Sequence, residues 1–255
     1  MTFAHEEHAA PAAALPVAAA FIAAGYVVLA ARQHADGRGW SRWRTASFLS
    51  GAALLAAAAL PGRGFPAHVL QHLLIGMLAP TGLALGAPVT LLLRSVPRRW
   101  GRVCGRALRH PVARAATHPA TVLLLNLGGL VALHTTPLYE VTTRDEVAHH
   151  LVHLHFLVAG YLFAWLVAGP DPAPHRPSVP VRLVLLGVAI AVHATLAQLV
   201  YAGIGVAIPV PAGERRAGAE LMYYGGDIAE LLLALALLGT WRPKTAAQGV
   251  RSTRS

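Results

Sequence analysis

Long apolar stretches alternate with short polar connections along almost the whole chain. Seven stretches approach the roughly 17 to 25 residues that a helix needs to cross a hydrocarbon core about 30 Å thick. They cover residues 14–31, 45–60, 68–93, 119–134, 147–168, 182–206 and 226–241, of which the second and fourth are marginal in length. The pattern predicts an all-α bundle of seven transmembrane helices, and Pro80 and Pro88 are expected to kink or break the third.

The same pattern divides the chain into three parts. We expect an external N-terminal tail at residues 1–13, a transmembrane domain at residues 14–241 and a basic cytoplasmic tail at residues 242–255. Glu6 and Glu7 stand where a signal peptide would carry Lys or Arg, so we interpret the first apolar stretch as a true span.

The basic residues fall unevenly between alternate connections. One set of connections holds seventeen Lys and Arg residues, seven of them between Arg94 and Arg114, and the other set holds four. Short basic connections stay in the cytoplasm, so seven spans place the N-terminus outside and the C-terminus inside. With Trp100 among its arginines, the segment 94–118 is either a surface segment lying on anionic headgroups or a solvated basic loop.

Composition supports a membrane protein. The chain is 55% hydrophobic and 13% charged, with a mean hydropathy of +0.53, so it needs lipid as its solvent. A net charge of +10 would suggest nucleic acid in a soluble protein, but here the charge marks membrane orientation. The expected partner is the lipid bilayer, with no nucleic acid.

Several kinds of chemistry are excluded by the residues present. Cys104 is the only cysteine, which rules out an internal disulfide and a CxxC metal or redox site. The only lysine, Lys244, follows the last span and cannot hold a retinal Schiff base inside the bundle. Because no catalytic triad, phosphate loop or paired-carboxylate arrangement stands out, we expect the protein not to be an enzyme.

Histidines cluster near the predicted outer ends of three spans. His68 and His72 are four residues apart on the third span, and His149 and His153 are four apart on the fifth, so each pair shares a helix face. With His134 on the fourth span, they predict a metal site of five candidate ligands. Met222 could add a soft ligand favouring Cu(I), and Asp227 and Glu230, placed at the outer start of span seven, could orient imidazoles.

The alternative is that these side chains are interfacial polar residues, hydrogen-bonded to one another, to water and to nearby carboxylates. His193, alone in the middle of span six, is interpreted as a packed, hydrogen-bonded histidine. The metal hypothesis rests on the two spaced pairs and on their common depth with His134.

Three segments of the chain form distinctive motifs. The first is His68-x-x-Gln71-His72-Leu-Leu, followed by Ala79-Pro80 and Leu85-Gly86-Ala87-Pro88. The second is His134-Thr-Thr-Pro137-Leu138-Tyr139-Glu140, and the third is His149-x-x-x-His153-x-x-Phe156-Leu157-x-x-Gly160. Together they resemble one family, the caa3-type CtaG cytochrome c oxidase assembly factors. The resemblance covers residues 65–170; Thr136 replaces a proline common in the family, and of the C-terminal third only Asp227 is carried across.

The resemblance implies a multi-pass protein of the bacterial plasma membrane that helps to mature haem-copper oxidase. Its expected partners are cytochrome c oxidase subunits, and its expected cargo is copper, received at the outer face. Tyr139 and Glu140, within the second matched segment, are expected to lie beside the metal ligands.

Two other classes remain open. A haem-binding membrane cytochrome would ligate iron with histidines from two helices, usually one per helix at each of two depths. A transporter or proton channel would need acidic residues at mid-membrane, whereas the sequence places Glu140, Asp145, Glu146, Asp227 and Glu230 near the outer boundary.

Overall fold

The computed structural model describes residues 9–60, 62–174 and 176–241, and within them the only regular structure is helical. The predicted all-α class is confirmed. The predicted tails at residues 1–13 and 242–255 lie outside the described residues, except that residues 9–13 belong to the first helix. In chain order the helices are α1 (Ala9–Ala35), α2 (Arg42–Ala57), α3 (Gly64–Leu73), α4 (Ala79–Leu85), α5 (Pro88–Ser95), α6 (Arg98–Arg109), α7 (Pro111–Ala116), α8 (Pro119–Thr135), α9 (Leu138–Arg144), α10 (Glu146–Val167), α11 (Val179–Ala202) and α12 (Ala212–Thr240).

Five helical segments of the described chain are long and apolar enough to cross a membrane. They are Ala14–Ala35, Gly64–Leu85, Glu146–Val167, Val179–Ala202 and Ala212–Thr240. A sixth results if α8 and α9, which meet at 79°, count as one bent span. The predicted second span corresponds to α2, which has only 16 residues, so the count of seven stays a prediction.

The predicted break in the third span occurs in two steps. A π-helical turn, Leu74–Leu78, joins α3 to α4, and the chain then leaves the helix at Gly86 and Ala87. Ala87 has a φ of 55°, in the left-handed region that costs a residue with a Cβ about 1 kcal/mol or more. Pro88 follows as the first residue of α5, where its missing N–H costs nothing.

Asp171, which the sequence analysis did not single out, holds this break in place. Its fully buried carboxylate accepts hydrogen bonds from the backbone N–H groups of Val89, at 3.0 Å, and Thr90, at 2.7 Å. These N–H groups open α5 and have no partner within the helix. The loop after α10 therefore caps the helix that follows the broken span.

The connections between long helices gather at two ends of the bundle. At one end, Arg38 donates to the carbonyl of Arg94, and Arg182 donates to that of Val167; we call this the arginine end. At the other, Glu214 accepts from the N–H of Phe65, and the N–H of Ala207 donates to the carbonyl of His134; we call this the histidine end. The segregation follows the alternation of basic connections in the sequence.

Small residues let α2 and α4 pack backbone to backbone. A Cβ added at Gly51 would lie 2.6 Å from the backbone N of Leu83 and 2.7 Å from the carbonyl oxygen of Ala79. A Cβ at Gly82 would meet Gly51 at 2.8 Å. Glycine at both positions is required by this approach, which fixes α3 and α4 against α2.

The last helix begins well before its predicted start at residue 226. α12 runs from Ala212 to Thr240, because the polar residues of its first turns are satisfied by the neighbouring helix ends. Arg215 donates to the carbonyl of Val200 at 3.1 Å, and Arg216 lies over the ring of Tyr201. The expectation that Glu230 lies at the outer start of the span is wrong, because Glu230 is about 15 Å along the axis from the Thr240 end.

Candidate functional site: two histidine cavities

A large cavity opens at the histidine end and is lined by three of the five predicted ligands. Its volume is about 840 Å³, and we call it the vestibule. His68 projects into it from α3, and His149 and His153 from α10; His72 lies one helical turn below His68. The i,i+4 spacing on two adjacent helices brings the side chains together, as expected from the sequence.

The four imidazoles form a continuous chain of contacts. Ring centroids of His68 and His72 are 4.2 Å apart, and those of His149 and His153 are 4.0 Å apart. Between the helices, His72 meets His153 at 5.1 Å, nearly edge to face, and His68 lies 6.2 Å from His149. The edge-to-face contact leaves no space for a porphyrin between His72 and His153.

Three of these side chains have a nitrogen without a protein partner. The Nε2 atoms of His68, His72 and His153 are buried, and none of them makes a hydrogen bond within the described chain. Burying a polar atom without a partner costs about 1–3 kcal/mol, so three such atoms in one place need an explanation. Hydrogen bonding among the histidines, which the interfacial interpretation assumed, is not observed for these atoms.

The residues expected beside the metal ligands, Tyr139, Glu140 and Asp227, have different surroundings in the structure. Tyr139 is buried and places its ring edge on His68, with centroids 5.1 Å apart. Glu140 instead forms an ion pair with Arg144. Asp227 is half-buried, and within the described residues no hydrogen bond joins it to a histidine. Of the three, Tyr139 is the one in contact with the cluster.

His134 is not part of the chain of four rings. Its side chain is 4% exposed and lines a second, smaller cavity of about 70 Å³, which we call the inner chamber. The polar residues and methionines of its lining are His72, Met77, Thr81, Asn126, His134, His193, Met222 and Glu230. Met222, expected near the outer cluster, is therefore a chamber residue as well. The predicted set of five ligands is split between two cavities.

A buried hydrogen bond between a carboxylate and an imidazole borders one side of the chamber. Oε1 of Glu230 lies 3.3 Å from Nδ1 of His193, and the two side chains are 4% and 5% exposed. Gly226 permits this pairing, because a Cβ there would lie 1.9 Å from Cε1 of His193. Sequence reasoning missed Glu230 as a mid-span group, although the nine apolar residues 231–239 after it are too few to cross a bilayer alone.

Neither cavity presents a complete metal-ligand set made of His, Cys, Asp and Glu alone. Among the residues that the structure describes, no three His, Cys, Asp or Glu side chains are placed so that they could hold a metal ion together. The vestibule is lined by His68, His149, His150 and His153, and the inner chamber by His72, His134 and His193 together with two methionines.

Comparison with known proteins decides the family. The family model described as cytochrome c oxidase caa3 assembly factor matches residues 24–244. The chain belongs to this family. The matched region of the caa3 assembly factor contains the whole lining of the inner chamber and, apart from Leu15, that of the vestibule. It includes the C-terminal part that the resemblance by motif left open.

Its relatives among curated proteins are mycobacterial. An uncharacterised protein of Mycobacterium leprae is 26% identical over 258 residues, which cover 90% of this chain and 39% of the relative. Uncharacterised proteins of Mycobacterium bovis and Mycobacterium tuberculosis are each 33% identical over 186 residues, 68% of this chain and 28% of theirs. The chain thus spans well under half the length of these relatives, and no solved structure matches it.

Proposed function

We propose that this assembly factor receives copper at the vestibule and passes it to a subunit of haem-copper cytochrome c oxidase. In this proposal the chain crosses the bacterial plasma membrane seven times with its N-terminus outside, so the histidine end faces outward. It acts as a carrier of cargo and not as an enzyme, and its partners are oxidase subunits within the lipid bilayer.

The observation that supports the proposal best is the group of unpartnered Nε2 atoms on His68, His72 and His153. A neutral imidazole offers one nitrogen lone pair, which is the group that copper binds. Burial of these atoms without a protein partner is costly, and a metal ion would supply one.

The incomplete ligand set fits transfer better than storage. A carrier must release its ion, and a site closed by four fixed ligands would hold it too tightly for ligand exchange. Cu(I) accepts low coordination numbers, so one imidazole pair on α3 or α10 could take the ion and yield it to the next pair. Tyr139 packs against His68 and would keep its ring from swinging toward α9.

Copper binding can be tested on protein purified in detergent. We would load it with Cu(I) under anaerobic reducing conditions, remove loose ions and measure copper per chain by plasma mass spectrometry. The double variant His68→Ala/His153→Ala is expected to lose about one copper relative to wild type. His34→Ala, an exposed histidine at the arginine end, is the matched control and should retain it.

The cellular role needs a separate measurement. In a bacterium that lacks this protein, wild type should restore the copper content of purified cytochrome c oxidase, and His68→Ala/His153→Ala should not. An oxidase fully loaded with copper in cells that make only the double variant would overturn the proposal. Comparable amounts of both proteins in the membrane fraction must be verified by immunoblotting.

The buried carboxylate of Glu230 favours a second candidate, a transporter. The sequence argument against transport assumed that every carboxylate lies near the outer boundary, and Glu230 contradicts it. Uptake of copper into proteoliposomes that contain this protein alone would favour transport, whereas binding without uptake would favour an assembly carrier.

A further inference from the structure

We propose that the inner chamber is a second metal site, for a soft monovalent ion such as Cu(I) or Ag(I), with His134, His193 and Met222 as ligands. Glu230 would fix the imidazole of His193 and balance the charge of the ion. The proposal deepens the proposed function, on which it rests in taking copper as the cargo.

The size of the chamber restricts its occupant. A volume of about 70 Å³ has room for an ion or a few waters, since one water takes about 30 Å³ in the liquid. Cavities that bind organic ligands measure about 300 Å³ or more. Haem and other large cofactors are therefore excluded from the chamber, whereas a metal ion fits.

The tautomers of both histidines leave the correct nitrogen available. Nδ1 of His134 lies 2.9 Å from the carbonyl oxygen of Leu130, which can only accept, so this nitrogen carries the proton. Nδ1 of His193 faces the carboxylate of Glu230 in the same way. In each neutral ring Nε2 then holds the lone pair, and the carboxylate-histidine pair is the arrangement that commonly supports a metal-bound imidazole.

The sulfur ligand determines which metal the chamber prefers. Met222 is 2% exposed and lines the chamber, and Met77 lines it from the π-helical turn. Thioether sulfur favours soft Cu(I) over harder divalent ions. Among the described residues, no three His, Cys, Asp or Glu side chains could hold a metal ion together. The proposed site is compatible with this, because its third ligand is a methionine.

Charge gives an independent reason for a cation here. Glu230 is 4% exposed, and its Oε2 atom has no hydrogen-bond partner in the described chain. A carboxylate inside a membrane protein is costly when its one partner is a neutral imidazole, and a monovalent cation beside it would make the chamber neutral. The chamber therefore contains an unsatisfied acceptor of the sign that a metal ion requires.

His72 connects the two cavities. It belongs to the chamber lining, while its ring lies 4.2 Å from that of His68 in the vestibule. An ion that exchanges from His68 to His72 would move from the larger vestibule toward the smaller chamber. The vestibule would then serve as the point of loading, and the chamber as the position where the ion is held away from external ligands.

X-ray absorption of the Cu(I)-loaded full chain tests the site. We would work in a Cys104→Ser background, because the remaining sulfur atoms then belong to Met1, Met77 and Met222. The expected spectrum contains a sulfur scatterer beside nitrogen. Met222→Leu, which conserves volume, should lose most of the sulfur contribution and about one bound copper while keeping the nitrogen-only component.

The variants separate this inference from the proposed function. His68→Ala/His153→Ala should lose the nitrogen-only copper and retain the sulfur signal, whereas His134→Gln should weaken the sulfur site alone. Copper bound only through nitrogen, and unchanged in Met222→Leu, would overturn the inner site and leave the vestibule proposal standing. A sulfur signal that is unchanged in Met222→Leu would also overturn it.

Discussion

Oε1 of Glu230 lies 3.3 Å from Nδ1 of His193, in the interior of the bundle between α12 and α11. Each side chain is close to fully buried, so burying either one without the other would cost considerable free energy. The pair joins α12 and α11, which have 29 and 24 residues, and it borders a cavity that the ion proposed above would fill.

Breaking this pair should destabilise the protein more than removing it. We expect His193→Leu, which leaves a carboxylate buried without its partner, to cost about 3–5 kcal/mol. Glu230→Leu leaves a neutral imidazole without its partner and should cost about 1–3 kcal/mol. The double variant should recover most of the loss. Thermal unfolding in detergent, followed by circular dichroism, measures the four proteins of this cycle; strictly additive losses would mean that the two side chains are not coupled.

The backbone contact between α2 and α4 predicts a strong size limit at Gly51. Gly51→Val should destabilise the protein by about 3 kcal/mol or more, since a Cβ would meet backbone atoms that cannot yield without separating the helices. Gly187→Val is the matched control, because nothing lies within 4 Å of an added Cβ there. Equal melting temperatures for the two variants would contradict the close approach.

Asp171 should be needed to keep the break after α4 ordered. Asp171→Ala removes both acceptors for the N–H groups of Val89 and Thr90, with an expected loss of about 1–3 kcal/mol. Asp171→Asn keeps one acceptor oxygen and should be intermediate. We would compare thermal unfolding with that of Asp36→Ala, whose exposed carboxylate lies 3.5 Å from Arg38. If Asp36→Ala proved as damaging as Asp171→Ala, the capping role would be wrong.

The proposed orientation can be measured with the native cysteine. Cys104 lies on α6, among the arginines that are expected to face the cytoplasm. A membrane-impermeant maleimide should label it in inside-out vesicles and not in right-side-out ones. In Cys104→Ser/Thr143→Cys the pattern should reverse, because Thr143 is exposed at the histidine end. Labelling of both cysteines from one side would exclude the proposed topology.

Hydropathy and spacing predicted much of the architecture and half of the site. The i,i+4 spacing predicted the shared faces of His68/His72 and His149/His153, because a helix fixes which residues lie on one side. The sequence could not show that His134 lies apart from the chain of four imidazoles and lines the inner chamber. Hydropathy also misplaced Glu230. A hydropathy window ends a span at polar residues, whereas in the folded protein these residues lie within the helix and hydrogen-bond to partners on other helices.

The sequence by itself determined that the chain needs lipid as its solvent, that it is helical and which family it resembles. It also determined the helix face on which each i,i+4 pair of histidines lies. These properties depend on composition and on contacts within one helix. Only the tertiary structure decided that the histidines of α3 and α10 come into contact and that His193 meets Glu230. Such pairings depend on how glycine contacts and buried polar bonds set the distances between helices that are remote in sequence, and no local pattern records them.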